Sequence, residues 1–213
     1  MTEIDILRHD QVLAVVRANR IPDTSELCRA LVAGGIRTVE LTFTTPDVVQ
    51  HISGAVAAAT QVGAILGVGT VMTDDQARAA IDAGARFLVT PGIRPGVAKV
   101  ATDRAVPVFL GAFTPTEVAM AVDLGATAVK IFPARTLGPG HLSDLHGPYP
   151  DVELVPSGGI NEHNAHAYLE AGALAVCAGT SVVPPASVEA GAWSDITDRA
   201  KAFVAELRSR QSS

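Results

Sequence analysis

Short apolar runs rich in β-branched residues alternate with longer amphipathic segments from one end of the chain to the other. Eight runs read as strands: Val12–Arg17, Val39–Phe43, Ala64–Val68, Phe87–Thr90, Val106–Leu110, Ala128–Phe132, Glu153–Pro156 and Ala173–Ala178. Between them, apolar residues recur at three- and four-residue spacing. That period predicts helices over Asp23–Ala33, Pro46–Thr60, Asp74–Ala83, Pro95–Thr102, Pro115–Leu124, Asn161–Ala171 and Ser194–Arg208. Pro46, Pro95 and Pro115 stand at helix starts, where a missing amide hydrogen is harmless. Asp23, Thr73, Thr114 and Ser194 are candidate N-caps. Glycines at Gly34-Gly35, Gly84, Gly125 and Gly172 supply left-handed turns that end helices just before the next strand.

Strands and helices that alternate in this way require a parallel sheet with right-handed crossovers. Eight strands point to an α/β fold of the (β/α)8 TIM-barrel type: a single domain over residues 1–213 with a short N-terminal helix. No Pro/Ser-rich linker or charge run divides the chain, although its length is near the short end for such a barrel. An open doubly wound sheet would carry a glycine-rich dinucleotide loop. Gly67-Val68-Gly69-Thr70 is only a fragment of one.

Composition narrows the partners. The chain is 48% hydrophobic and 18% charged, with a formal net charge of −6. That balance argues against nucleic acid and against an anionic membrane as partners, since both reward positive charge. No stretch approaches the ~18 apolar residues of a membrane span, and Glu3 and Asp5 are out of place in a secretory signal. Cys28 and Cys177 lie in apolar patterns without metal spacing and read as reduced core thiols, so the expected location is cytoplasmic. His163 and His166 read as solvated helix residues, with no nearby acid or cysteine to complete a metal site. Trp193 reads as packing under the C-terminal helix.

Thirteen of the sixteen basic residues are arginine; the lysines are Lys99, Lys130 and Lys201. Lys99 and Lys201 fall on helices at exposed positions. Lys130 interrupts an otherwise buried strand, Thr127-Ala128-Val129-Lys130-Ile131-Phe132. Period-two alternation sends Val129 and Ile131 towards the helices and Ala128, Lys130 and Phe132 into the barrel. A buried ammonium is costly unless it is paired or loses its proton, and a buried amine is a nucleophile suited to imine formation with a carbonyl. In Val39-Glu40-Leu41-Thr42-Phe43 the same alternation turns Glu40 and Thr42 inward. Lys130 and Glu40 therefore read as nucleophile and proton shuttle, or as a structural ion pair. Ser157-Gly158-Gly159 and Gly179-Thr180-Ser181 end the last two strands and read as an anion cradle, although glycines there also occur in barrels that bind no phosphate. A phosphate-binding isomerase or epimerase barrel would share those glycines.

Val-Glu-Leu-Thr, Gly-Val-Gly-Thr-Val, Thr-Pro-Gly, Val-Lys-Ile-Phe-Pro-Ala and Pro-Ser-Gly-Gly-Ile, in that order, resemble the KDPG/KHG aldolase family over roughly Val12–Arg208. The resemblance implies a class I aldolase, a carbon–carbon lyase. It would cleave a 2-keto-3-deoxy-6-phospho sugar acid of the phosphogluconate or phosphogalactonate type to pyruvate and glyceraldehyde 3-phosphate. The alternative substrate is 4-hydroxy-2-oxoglutarate, which gives pyruvate and glyoxylate. On this resemblance Lys130 is the Schiff-base lysine and Glu40 the general acid/base. Thr70 holds the pyruvate carboxylate, Pro91 and Phe132 line the pyruvyl pocket, and Gly158, Gly159 and Ser181 hold the phosphate end. Members typical of the phosphogluconate aldolases carry an arginine four residues after the glutamate; Thr44 stands there in this chain. Thr44 and Arg17 are more like the branch that acts on 6-phosphogalactonate, in which Arg17 would replace the missing carboxylate clamp. The resemblance also implies no metal and no organic cofactor beyond the covalent imine on Lys130, small-molecule partners only, and a homotrimer.

Overall fold

The computed structural model describes residues 2–209, so residue 1 and residues 210–213 of the expected domain lie outside the described residues. A first helix, α1 (Glu3–Asp10), is closed at its start by a reciprocal cap between Thr2 and Asp5. Eight strand–helix units follow: β1 (Val12–Val16), α2 (Thr24–Ala33), β2 (Thr38–Thr42), α3 (Val48–Gln61), β3 (Ile65–Gly69), α4 (Asp74–Asp82), β4 (Leu88–Val89) and α5 (Pro95–Asp103) make up the first half. The second half is β5 (Val108–Ala112), α6 (Pro115–Asp123), β6 (Ala128–Ile131), α7 (Gly140–His146), β7 (Leu154–Pro156), α8 (Ala165–Glu170), β8 (Val176–Ala178), α9 (Pro185–Glu189) and α10 (Trp193–Ser209).

All strand pairs are parallel, in the order β7-β6-β5-β4-β3-β2-β1-β8. The barrel is closed between β7 and β8 by a bond from the Leu174 amide to the Leu154 carbonyl at 2.9 Å. The expected barrel is thus observed, with its seam thinner than its walls. Period-two alternation divides the apolar residues into two cores. Val39, Leu41, Val129 and Ile131 belong to the outer core beneath the helices. Leu13, Ile65, Phe87, Phe109, Val155 and Cys177 fill the lumen, and Leu7 of α1 joins them. The Phe87 and Phe109 rings stack at 5.4 Å between centroids.

Asp23, Thr73 and Thr114 each accept the expected capping bond, and Pro95 and Pro115 occupy the first helical turn. Pro46 does not: α3 starts at Val48 after Asp47, whose φ of 53° gives a left-handed cap. Ser194 lies inside α10, which begins at Trp193, a partly buried ring packed against the outer core. Strand β5 begins two residues later than the pattern suggests, because the Val106 amide donates to Ala101 and completes the preceding helix turn. Ala173 likewise donates to Tyr168, which shortens β8. Helices α7 and α9 are short and surrounded by glycine and proline, so no clear period announced them. No helix among the described residues is long and apolar enough to cross a membrane.

Candidate active site

The two inward-facing ionisable groups meet above the apolar floor of the lumen. Glu40 is fully buried, and Lys130 Nζ lies 3.6 Å from Glu40 Oε1. Neither Glu40 oxygen has a hydrogen-bond partner among the described residues. A buried carboxylate normally satisfies its lone pairs, so this one is an acceptor with free lone pairs beside an amine. Glycine makes the arrangement possible. Gly69 ends β3 opposite Thr42, and a Cβ on it would lie 1.8 Å from Glu40 Oε1. Lys99 and Lys201, by contrast, are exposed, and Lys99 is paired with Asp103.

On the other side of Lys130, Gly111 is its ladder partner. The Pro91–Gly92 backbone packs so closely on Gly111 that a Cβ there would lie 2.2 Å from the Pro91 carbonyl carbon. The Thr90 hydroxyl fixes this turn, accepting from the Gly111 amide at 3.1 Å and donating to the Gly92 carbonyl at 2.7 Å. Pro91 therefore lies one strand from the amine. Thr70 follows Gly69 with φ 56°, a strained conformation for a β-branched residue. Phe132 sits just past the end of β6, with its ring centroid 5.9 Å from Lys130 Nζ. Alternation had placed Phe132 inside the lumen; it is instead 40% exposed at the mouth, because β6 ends at Ile131.

Cys177 also faces this layer. Burial, helped by the nearby Glu40 charge and opposed by Lys130, pushes its thiol up to about 12. The sulfur stays protonated at neutral pH and does not compete with the amine as a nucleophile.

The mouth opens into a cavity of about 400 Å3 lined by Arg17, Phe132, Arg135, Gly158, Gly159 and Thr180, among others. Gly158 and Gly159 have φ of 94° and 82°, and the side-chain amide of Asn164 donates to the Gly159 carbonyl at 2.9 Å. Arg17 also lines a neighbouring cavity of about 370 Å3 with Thr44, whose hydroxyl is 2.7 Å from that of Thr42. Ser181 is not part of the main lining; its hydroxyl is buried and has no hydrogen-bond partner among the described residues. A larger cavity of about 570 Å3 between His146, Asp151 and Gly172 is formed by the loops that lead into the strands, and it shares no lining residue with the cavity at the mouth. His163 is 83% exposed as expected, but His166 is largely covered and lies 3.2 Å from Glu170.

The sequence profile of the KDPG and KHG aldolase family matches residues 4–199. The chain belongs to the KDPG and KHG aldolase family. It is 38% identical to the 2-dehydro-3-deoxy-phosphogluconate aldolase of Treponema pallidum (strain Nichols) over 198 residues, covering 92% of this chain and 93% of that protein. Identity to the probable 2-dehydro-3-deoxy-6-phosphogalactonate aldolase of Rhizobium meliloti (strain 1021) is 32%, covering 91% of this chain and 90% of that protein. Among solved structures, the KDPG aldolase of Legionella pneumophila superposes with a TM-score of 0.84 at 28% identity, covering 95% of this chain and 98% of that one. That enzyme was captured with pyruvate as a covalent carbinolamine intermediate.

Two features of this family member escaped the reading of strand patterns. Arg135 lines the main cavity although it follows the strand by several residues, in a 3-10 turn over Ala134–Thr136. Its only signal was an arginine close behind the Lys-Ile-Phe-Pro-Ala motif. Thr90 acts through its hydroxyl on the backbone of two neighbouring segments, a role that depends on tertiary contact.

Proposed function

We propose that the chain, acting as one barrel domain, is a class I aldolase that cleaves a 2-keto-3-deoxy-6-phospho sugar acid to pyruvate and glyceraldehyde 3-phosphate. The observation that carries this reading is the buried Lys130–Glu40 pair with its unsatisfied carboxylate, joined through the Phe132 ring beside Lys130 to a glycine- and arginine-lined cavity. Lys130 attacks the C2 ketone to give a carbinolamine, and Glu40 passes protons as water leaves to form the iminium. Glu40 then takes the proton of the C4 hydroxyl. The C3–C4 bond breaks, its electron pair entering the iminium to form an enamine as glyceraldehyde 3-phosphate departs. Protonation at C3 and hydrolysis release pyruvate and restore the amine. The iminium is the electron sink, so the sequence of steps calls for neither metal nor organic cofactor.

Thr70, next to the Gly69 that packs on Glu40, and Pro91, packed on the ladder partner of Lys130, are assigned to the pyruvyl half. Gly158, Gly159, Thr180 and Ser181 are assigned to the phosphate half. Arg17, which lines both cavities, is assigned to the acid group that Thr44 is too short to hold. Assembly as a homotrimer would cover exposed apolar side chains such as Met120, Val122 and Leu137, and the buried free cysteines fit a reducing cytoplasm.

Borohydride reduction in the presence of pyruvate, followed by peptide mass analysis, tests the proposal. A reduced pyruvyl adduct on Lys130 is expected. Its absence overturns the covalent mechanism.

A further inference from the structure

Behind β6 the chain folds back against the turn that follows β7. The Ala134 amide donates to the Ser157 carbonyl at 2.8 Å, and the Arg135 amide donates to the Gly158 carbonyl at 3.1 Å. With its backbone held there, the Arg135 side chain lies across Gly159. A Cβ on Gly159 would come within 2.6 Å of Arg135 Cβ and 2.8 Å of its Cδ. The stem of this arginine is thus placed by packing, and no carboxylate among the described residues holds its head. Seven other described arginines are paired with acids, whereas Arg17 and Arg135 have no ion pair among the described residues. In a chain with 22 acids to 16 basic residues, Arg17 and Arg135 line one cavity whose lining contains no acid.

The order of residues along the cavity sets a direction. Lys130 lies beside the Phe132 ring, that ring lies against Gly158, and Arg135 lies beyond it across Gly159. A substrate joined through C2 to Lys130 extends its far end towards Arg135. We propose that Arg135 is a specificity-determining residue: its guanidinium clamps the terminal phosphate and sets the preference for phosphorylated over unphosphorylated keto acids. The glycine turn offers amides but no charge, while a guanidinium forms short, paired, charge-assisted bonds to phosphate. This inference rests on the aldolase reading above.

The test compares cleavage of the six-carbon phosphorylated acid with that of the same acid lacking its phosphate, in wild type, R135Q and R135K, alongside pyruvate trapping. Arg135→Gln should lower kcat/KM on the phosphorylated acid by about 10- to 100-fold, mainly through KM, as expected for loss of a hydrogen-bonded charge. It should leave the unphosphorylated acid and pyruvate trapping within about threefold, since neither reaches the guanidinium. Arg135→Lys should restore part of the loss. A wild type indifferent to the phosphate, an R135Q variant with unchanged preference, or an equal fall on both acids would each overturn the inference. Failure of wild-type trapping would instead overturn the aldolase reading.

Discussion

Replacing Gly69 by alanine is the sharpest single perturbation of this site. The added Cβ would lie 1.8 Å from Glu40 Oε1 and 2.3 Å from Glu40 Cδ. Gly69 has ordinary strand dihedrals, so alanine introduces no backbone strain. Restoring a van der Waals contact of about 3.3 Å therefore requires the carboxylate to retreat by about 1.5 Å. Glu40 has no solvent-filled space to retreat into, being fully buried. Overpacking costs about 1–3 kcal/mol, offset by about 0.4–1 kcal/mol from the stiffer unfolded chain. The melting temperature should fall by less than about 10 °C, because each kcal/mol shifts a chain of this size by about 2–4 °C. Turnover should suffer far more, since misplacing a catalytic group by about 1 Å costs on the order of 100-fold, or about 2.7 kcal/mol in the barrier. The assay is kcat for aldol cleavage beside a thermal melt, with Gly54→Ala as the control because nothing lies within 4 Å of its added Cβ. A G69A enzyme with kcat within threefold of wild type would refute the claim that this close approach positions the proton shuttle.

Glu40→Gln keeps the shape of the side chain and removes its basicity, so kcat should fall by about 100- to 10,000-fold while the pyruvate adduct still forms on Lys130; near-normal turnover would exclude Glu40. Lys130→Met leaves the buried carboxylate unpaired and should cost about 3–5 kcal/mol in urea or thermal melts, most of which K130M/E40Q should recover; equal melts for the two would show that the pair carries no such coupling. Asp10 is desolvated, but its bonds from Arg37 at 2.6 and 2.8 Å and from His9 outweigh that and hold its carboxyl below the usual value. A lowered folded value contributes stability that is present above the unfolded carboxyl range, about pH 4, and is lost below it. The stability gap between wild type and Asp10→Asn should therefore close as pH falls through that range; a gap that stays constant to pH 2 would contradict the ion pair. Burial pushes both Cys28 and Cys177 up to about 12, so iodoacetamide at pH 8 should leave the native chain unmodified, and alkylation of either at a free-thiol rate would contradict that burial.

The barrel itself was legible because its signals are local. Caps at Asp23, Thr73 and Thr114 and prolines at 95 and 115 are satisfied by atoms within a few residues, and each marks its helix without reference to the rest of the chain. Errors fall where a local signal has a distant competitor. Val106 resembles the start of a strand, but its amide is taken by the preceding helix. Phe132 continues the inward series of β6, yet the strand ends one residue earlier and the ring turns to the mouth.

For the chemistry the same division holds. Alternation along two strands is a property of the extended backbone, so the inward aim of Lys130 and Glu40 followed from sequence alone. Their separation of 3.6 Å did not, because it depends on how β2 and β6 face each other across a lumen whose width is set by closure and by what fills it. Gly69 stands in the sequence as one glycine of Gly-Val-Gly-Thr-Val; only the folded barrel shows that its missing Cβ is the space occupied by a carboxylate. Arg135 carries no strand signal and remains exposed; two backbone bonds and a glycine on another strand's turn are what place its stem across Gly159 at the cavity. Periodicity is repeated at every residue and survives in the one-dimensional chain. Distances between distant segments arise once, from packing, and exist only in the folded molecule.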